Sequence, residues 1–216
     1  MQSPERTVAE IHHIHDKYGF EAFMIYDDLF IASKNRMAGI LELLKRPFTF
    51  RCFARSNLVE EGICQLLTDL GVVEVGLGIE TGSDAILKKN MKGATVEQNS
   101  RAVALLRKYG IRAKSFIIVG LPGETYETVE ETADWLRKTR PDDVDVSVFQ
   151  PYPGSPIFEN PEEWGITFQY DGKPQWFKGT PGKYESSVST ESLSAQEIVK
   201  YRDMLEAEFK PKELLR

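Results

Sequence analysis

Apolar and polar positions alternate most cleanly along Val72–Glu80, where Val73, Val75, Leu77 and Ile79 interleave with Glu74, Gly76, Gly78 and Glu80. A period of two is that of a strand. This one ends in a carboxylate before Thr81-Gly82-Ser83 turns the chain away. Elsewhere helical spacing and short apolar runs take turns. Ser3-Pro4-Glu5 opens a helix through Val8, Ile11 and Ile14 to Tyr18, with Gly19 as its stop. Residues 22–26 form an unbroken apolar run, the mark of a strand buried on both faces, and run into Asp27-Asp28. A helix over 35–45 follows, with Met37, Ile40, Leu41 and Leu44 inward, then a strand over 48–53 ending at Arg55-Ser56-Asn57. A helix over 60–70 stops at Gly71. Thr95-x-x-Gln98 reads as a capping box for a helix to Tyr109, ended by Gly110. Residues 114–121 are strand and turn at Gly120-Leu121-Pro122-Gly123-Glu124; Thr125 caps a helix over 126–138; a last strand over 144–149 runs into Gln150 and Pro151-Tyr152-Pro153-Gly154.

Strands and helices thus alternate, which predicts right-handed βαβ units and a parallel sheet. The polar clusters fall at the carboxyl ends of the strands, so one mouth of a barrel or open sheet should collect them. After Pro156 the pattern changes. Residues 157–190 have no clear period and read as an irregular wrap ordered by Trp164, Tyr170, Trp176 and Phe177. Ser194-x-x-Glu197 is a second capping box, for a helix through Tyr201, Leu205 and Phe209. The expected division is a core over 1–156 and a wrap plus terminal helix over 157–216.

Composition narrows the class. The 216 residues are 41% hydrophobic and 28% charged, and their net charge of −6 argues against a protein built to grip nucleic acid. No apolar run approaches the roughly 20 residues that span a bilayer, and the N-terminus has no signal-peptide core, so the cytoplasm is the expected address, without a membrane partner. Cys52 and Cys64 have no metal-site spacing and read as buried thiols, so no metal ligand is assigned. Each candidate has a plain structural alternative. Asp27-Asp28 suits an ammonium group or a metal, or caps a turn. Glu80 closes an apolar strand between small residues, a placement that suits a ligand. The Gly120–Gly123 turn either admits a flat ligand to the backbone or is only tight. Gly76-x-Gly78 lacks the third glycine of a dinucleotide fingerprint. His12 and His15 share a helix face but make too weak a set for metal. Lys88, Lys89 and Lys92 form a basic cluster, of which Lys92 lies just beyond the Glu80 loop.

Six motifs in order resemble the radical S-adenosylmethionine (SAM) superfamily, most of all its cobalamin-binding branch and the neighbouring methylthiotransferase-like enzymes. They are Ile25-Tyr26-Asp27-Asp28-x-Phe30, Cys52-x-Ala54-Arg55, Leu77-Gly78-Ile79-Glu80-Thr81-Gly82-Ser83, Met91-Lys92-Gly93, Gly120-Leu121-Pro122-Gly123-Glu124-Thr125 and Pro151-Tyr152-Pro153-Gly154-Ser155-Pro156. The resemblance covers roughly residues 3–156. It implies an α/β fold, a partial parallel (β/α) TIM-like barrel, here without the family's first strand and cluster loop. It implies that Asp27 and Asp28 meet the methionyl ammonium of SAM, although the family's usual glycine-glycine-glutamate is replaced there. Arg55 is placed in the same pocket. Glu80 is matched to the ribose hydroxyls, Lys92 to the SAM carboxylate, Ile118 and Gly120 to the adenine side, and Phe149 and Gln150 to the closure of that pocket. No catalytic residue is assigned.

The family's C-x-x-x-C-x-x-C loop holds a [4Fe–4S] cluster that binds SAM and donates the electron that cleaves it to a 5′-deoxyadenosyl radical. That loop is missing here. The resemblance therefore implies a chain that begins just downstream of the cluster, with Met1 an introduced start, and that is inactive alone. The whole protein would carry the cluster, and any cobalamin domain would lie upstream. It would draw electrons from a flavodoxin or ferredoxin and methylate or remodel a small-molecule substrate. The alternatives are a tRNA methylthiotransferase and a cluster-free nucleoside- or protein-binding domain. A truncated barrel also leaves an edge at residues 22–26 through which copies would self-associate.

Overall fold

In the computed structural model, which describes residues 2–27, 30–169, 179–180 and 183–211, three helices begin at the predicted caps Ser3, Thr125 and Ser194, while the helix expected over 35–45 runs 34–43. Ser3 accepts from the Arg6 amide at 3.3 Å, helix α1 runs Pro4–Tyr18, and Gly19 closes it in the left-handed region at φ 74. Then follow β1 (Ala22–Met24), α2 (Lys34–Leu43), β2 (Thr49–Ala54), α3 (Glu61–Leu70), β3 (Val72–Glu80), α4 (Asp84–Lys89), α5 (Val96–Lys108), β4 (Arg112–Val119), α6 (Tyr126–Thr139) and β5 (Asp143–Val148). The five strands form one sheet in chain order, β1-β2-β3-β4-β5, with β1/β2 and β2/β3 parallel. A strand, a returning helix and the next strand beside the first is the βαβ grammar of the sequence. The chain divides into two compact units, Met1–Gly78 with Glu97–Ser115, and Ile79–Val96 with Phe116–Arg216.

In the first unit the core is built on Phe50, Cys52, Val75, Leu77 and Leu67, all 2% exposed or less. Two expectations change there. Strand β1 is shorter than the run 22–26 and is not buried on both faces: Met24 is 43% exposed and Tyr26 77%. It is the end strand of the sheet order, and its Phe23 ring packs edge-on to Phe48 and tilted against Phe50 with centroids 5.5 and 5.9 Å away. Only that face is covered. In β3 the alternation breaks at its start, where Val73 is 43% exposed and Glu74 only 8%. Phe50 pairs with Val72 but Arg51 with Glu74, so Val73 is the extra residue of a bulge. The shift carries the Glu74 carboxylate between Arg51 Nε at 3.7 Å and Arg112 Nε at 3.6 Å, which offsets its burial. Leu41 and Leu44, expected inward with Met37 and Ile40, are only half-buried.

In the second unit Ile79, Ile117, Val119, Val146 and Leu136 make the core. Beyond β5 the segment expected to be irregular holds α7 (Pro156–Glu159), β6 (Ile166–Phe168), β7 (Gly179–Thr180), β8 (Lys183–Tyr184) and β9 (Val188–Thr190). Strand β6 pairs antiparallel with β9, and β7 with β8. Runs of two or three residues are too short to leave a period, which is why the pattern missed them. Of the aromatics expected to order this segment, Trp164 is half-buried in a short 3₁₀ turn, while Tyr170, Trp176 and Phe177 lie outside the described residues.

Helix α8 (Ala195–Phe209) begins at the predicted capping box, with Ser194 and Glu197 exchanging backbone bonds. Its Arg202, 4% exposed, donates from Nε to the Val146 carbonyl at 3.1 Å and lays its guanidinium 3.6 Å from the Tyr184 ring centroid. Asp203 and Glu206 balance the charge. One side chain thus ties α8 to β5 and to the β7–β8 pair. Arg202→Ala is expected to lower stability by about 2–3 kcal/mol, because a buried carbonyl loses its donor and a stacked cation leaves a void. Urea midpoints measure this, and an unchanged midpoint contradicts it.

Candidate SAM site

The centre of the second unit's polar face is Glu80. It is the last residue of β3 and stands at φ 66, the left-handed region that a side-chain-bearing residue rarely adopts. The Thr81 amide donates to the Ile79 carbonyl at 2.9 Å across it, so the carboxylate sits at the apex of a positive-φ γ-turn, the strained kind. Lys92 Nζ lies 2.5 Å from Glu80 Oε1, with the two side chains 26% and 21% exposed. Local structure explains how Lys92 arrives. After α4, Met91 turns left-handed at φ 50 and the Lys92 amide reaches back to the Leu87 carbonyl at 3.0 Å, a Schellman-type closure. Asn90 adds bonds from Nδ2 to the Ile86 and Pro122 carbonyls at 2.9 and 3.1 Å. The sequence placed Lys92 beyond the Glu80 loop; the structure joins the two.

At the end of β4, Gly120 takes φ 94, and its amide donates to Glu124 Oε2 at 2.5 Å. Glu124 is 1% exposed. Burial pushes its carboxyl up to about 7, against the opposing pull of the Gly120 and Leu121 amides. In the unfolded chain the same group titrates near about 4.3. The folded state therefore holds the proton longer. Its contribution to stability is complete below the unfolded pKa and is lost as pH rises to about 7, a fall of about 2–3 kcal/mol. Glu124→Gln keeps the acceptor and cannot ionise, so its urea midpoint should lack this decline between pH 4.5 and 7.5. Parallel profiles for the two proteins would contradict that.

Beside this turn the Phe149 amide donates to the Val119 carbonyl at 2.8 Å, which sets Phe149 next to Gly120 at neighbouring strand ends. Gln150 Nε2 bonds the Pro151 carbonyl at 3.4 Å, and its Oε1 accepts from the Ser187 hydroxyl. Ile118 is half-buried, on the opposite face of β4 from Ile117 and Val119. Glu80 and Lys92 are the predicted pair that the second unit joins by a direct bond, while Phe149 reaches the neighbourhood of Gly120 through its bond to Val119. Ser187 could not have been found by pattern, because its only signal is a serine in an aperiodic stretch.

The first unit carries the others. Asp27 Oδ2 is paired with Arg36 Nη1 at 2.8 Å, and that guanidinium side chain, 9% exposed, also donates to the Gln2 carbonyl at 2.9 Å. The offsetting cation that an acid at a strand end needs is thus supplied from α2, and only a helix register relates the two in sequence. Asp28 lies outside the described residues. Arg55 is exposed just after β2, next to Ser56, whose buried hydroxyl donates to Asn99 Oδ1 at 2.5 Å.

The residues present do not fit an iron–sulfur cluster. Cys52 and Cys64 are buried, and burial raises their thiols to about 12 and about 11, so neither is a ready thiolate. Among the described residues no group of three His, Cys, Asp or Glu side chains is placed to hold a metal ion. His12 and His15 instead pack edge-on to Phe48. The second unit's residues do fit a nucleoside with a zwitterionic tail: a carboxylate for a diol, a lysine for a carboxylate, and a left-handed glycine at a strand end. Among the described residues no helix is long and apolar enough to cross a membrane.

The chain is 31% identical over 160 residues to the uncharacterized methyltransferase PH0819 of Pyrococcus horikoshii, covering 73% of this chain and 35% of that one. It is 30% identical over 164 residues to the anaerobic magnesium-protoporphyrin IX monomethyl ester cyclase of Rubrivivax gelatinosus, 74% of this chain and 30% of that one. The chain therefore spans about a third of the length of these relatives. Among solved structures, the radical SAM methyltransferase TsrM of Kitasatospora setae, with cobalamin and a [4Fe–4S] cluster bound, superposes with a TM-score of 0.76 at 18% identity over 95% of this chain and 47% of that one. Another structure of TsrM holds tryptophan as substrate and a SAM analogue. This likeness shows the fold, the partial parallel (β/α) barrel of radical SAM proteins. The family model described as the radical SAM superfamily, whose members use SAM and a [4Fe–4S] cluster, matches residues 1–136, and the chain belongs to that superfamily.

Proposed function

We propose that this chain is the SAM-holding core of an enzyme that cleaves SAM reductively and methylates or otherwise remodels a small-molecule substrate. The observation that carries the reading is Glu80, held at φ 66 on a strand end and ion-paired to Lys92. Non-glycine residues keep such a conformation only where the surroundings enforce it, and these places cluster at ligand sites. In this reading Glu80 accepts from the ribose hydroxyls, Lys92 meets the methionyl carboxylate, the backbone of Ile118 to Gly120 lies along adenine, and Phe149 with Gln150 closes that side. Lys92 and Glu80 neutralise each other, so neither charge is left bare. The assignment uses residues of the second unit alone; Asp27, paired with Arg36, belongs to the first.

SAM bound to a [4Fe–4S] cluster supplies the radical or methyl-transfer chemistry. The residues of this chain bind and orient it and provide no cluster thiolates, so the chain alone should turn nothing over. A core of 1–156 with an appended 157–216, a cobalamin domain elsewhere in the whole protein, and electrons from a flavodoxin or ferredoxin complete the proposal. The exposed edge of β1 is where copies of the chain would pair, and a monomer at high concentration in sedimentation counts against that. The decisive test is the whole protein with its cluster reconstituted, given SAM and a reductant. Formation of 5′-deoxyadenosine or S-adenosylhomocysteine, absent with this chain alone, is expected. Methylthiolated tRNA as product would move the reading to the methylthiotransferase branch, and SAM bound but never consumed would mark a binding domain.

A further inference from the structure

The turn that carries Glu80 is fastened by a residue outside every motif in the sequence. Thr132, in the middle of α6, is 2% exposed, and Thr81 is fully buried. The Thr132 hydroxyl lies 3.0 Å from Thr81 Oγ1, 2.9 Å from the Gly82 amide nitrogen and 3.1 Å from the Thr128 carbonyl oxygen. A hydroxyl has one proton and two lone pairs. A carbonyl can only accept, so the Thr132 proton goes to Thr128, and its oxygen accepts from both Gly82 N–H and Thr81 O–H. Thr81 Oγ1 accepts in turn from the Ser83 amide at 3.2 Å. All the protons of this cluster then run one way, from loop 81–83 into the helix. Nothing else within hydrogen-bond reach needs to be invoked to satisfy them.

We infer that Thr132 is a positioning residue for the SAM site: by accepting from Thr81 and Gly82 it holds the strained turn that presents the Glu80 carboxylate. It touches no ligand itself. The inference rests on the reading of Glu80 given above. Left-handed backbone at a glutamate is strained and persists only when flanking residues are pinned. One flank is the Thr81 amide bonded to Ile79, and the other is the pair of bonds to Thr132. Loss of the second would let the turn relax and swing the carboxylate away.

The test is an NMR titration of this chain with SAM, run on the unsubstituted protein and on Thr132→Val, Thr132→Ser and Glu80→Gln. Valine keeps the shape and removes both acceptor sites, whereas serine restores them. The dissociation constant should rise about 5- to 20-fold for Thr132→Val and stay within about twofold for Thr132→Ser. A Thr132→Val protein that binds SAM like the parent overturns the inference, as does equal damage from both substitutions. If Glu80→Gln also leaves binding unchanged, the reading of Glu80 itself has failed. If Glu80→Gln weakens binding and Thr132→Val does not, only the role of Thr132 is lost. Should Thr132→Val not fold, hydrogen exchange of the Gly82 amide in the unsubstituted chain decides. Strong protection supports the anchor, and exchange at the rate of an open loop contradicts it.

Discussion

Glu80→Gln should weaken SAM binding by about 10- to 100-fold, the larger of the expected losses at the site. The substitution keeps size and shape and leaves the amide oxygen as an acceptor, but it removes the negative charge. A hydrogen bond from a hydroxyl to a carboxylate is worth about 1.5–3 kcal/mol, against about 1 for a neutral pair, and a vicinal diol can make two. Lys92 adds to the effect. Its ammonium is 2.5 Å from Oε1 and holds that oxygen in place, so Glu80→Gln also weakens that contact from an ion pair to a bond with a neutral amide oxygen. Lys92→Ala should be milder, roughly three- to tenfold, because the lysine side chain is 26% exposed and its charge is partly screened by water. Calorimetric titration of both variants measures the pair. Equal affinity in Glu80→Gln and the parent would remove Glu80 from the site.

The largest expected effect on stability belongs to Gly82→Ala. A Cβ at Gly82 would stand 2.7 Å from Thr132 Cα, 2.8 Å from the Glu131 carbonyl oxygen and 2.8 Å from Trp135 Cβ. These are atoms of the α6 backbone and the root of a buried indole, and none can swing aside. Overpacking usually costs about 1–3 kcal/mol where side chains can adjust. Here a helix must move, and the Gly82 amide, whose partner is Thr132, moves with it, so about 3 kcal/mol or more is expected. Gly123→Ala makes the contrast, since its Cβ would meet the flexible end of Lys89 and chiefly add the strain of its φ of 81. A urea midpoint for Gly82→Ala within about 1 kcal/mol of the parent would show that α6 and the turn are not in rigid contact.

Much of this architecture is legible in the order of residues alone. The helix starts at Ser3, Thr125 and Ser194, the alternation of strand and helix, the acid at the end of β3 and the turn at Gly120 each leave a local chemical signature, and each is where the sequence puts it. What escapes such a reading has a common cause. The φ of Glu80 is set by partners rather than by the residue, because glutamate has no preference for the left-handed region. The bulge at Val73 leaves no local signature, because Arg51 and Arg112, which flank the displaced Glu74 carboxylate, come from neighbouring strands. Arg36 and Thr132 are ordinary helix residues until the fold lays them against Asp27 and Gly82. Strand β1 reads as buried because its sequence is apolar, and sequence does not tell whether a strand has one neighbour or two.

Saturation-transfer NMR with SAM on this chain tests the central claim most directly. Without cluster ligands the affinity should be weak, roughly millimolar or about −4 kcal/mol, which this measurement detects well. The expected result is transfer from the protein to the adenine and ribose protons of SAM, strong in the parent chain and nearly gone in Glu80→Gln. No transfer at millimolar SAM, or transfer that Glu80→Gln leaves intact, would contradict the assignment of this strand end as the seat of SAM.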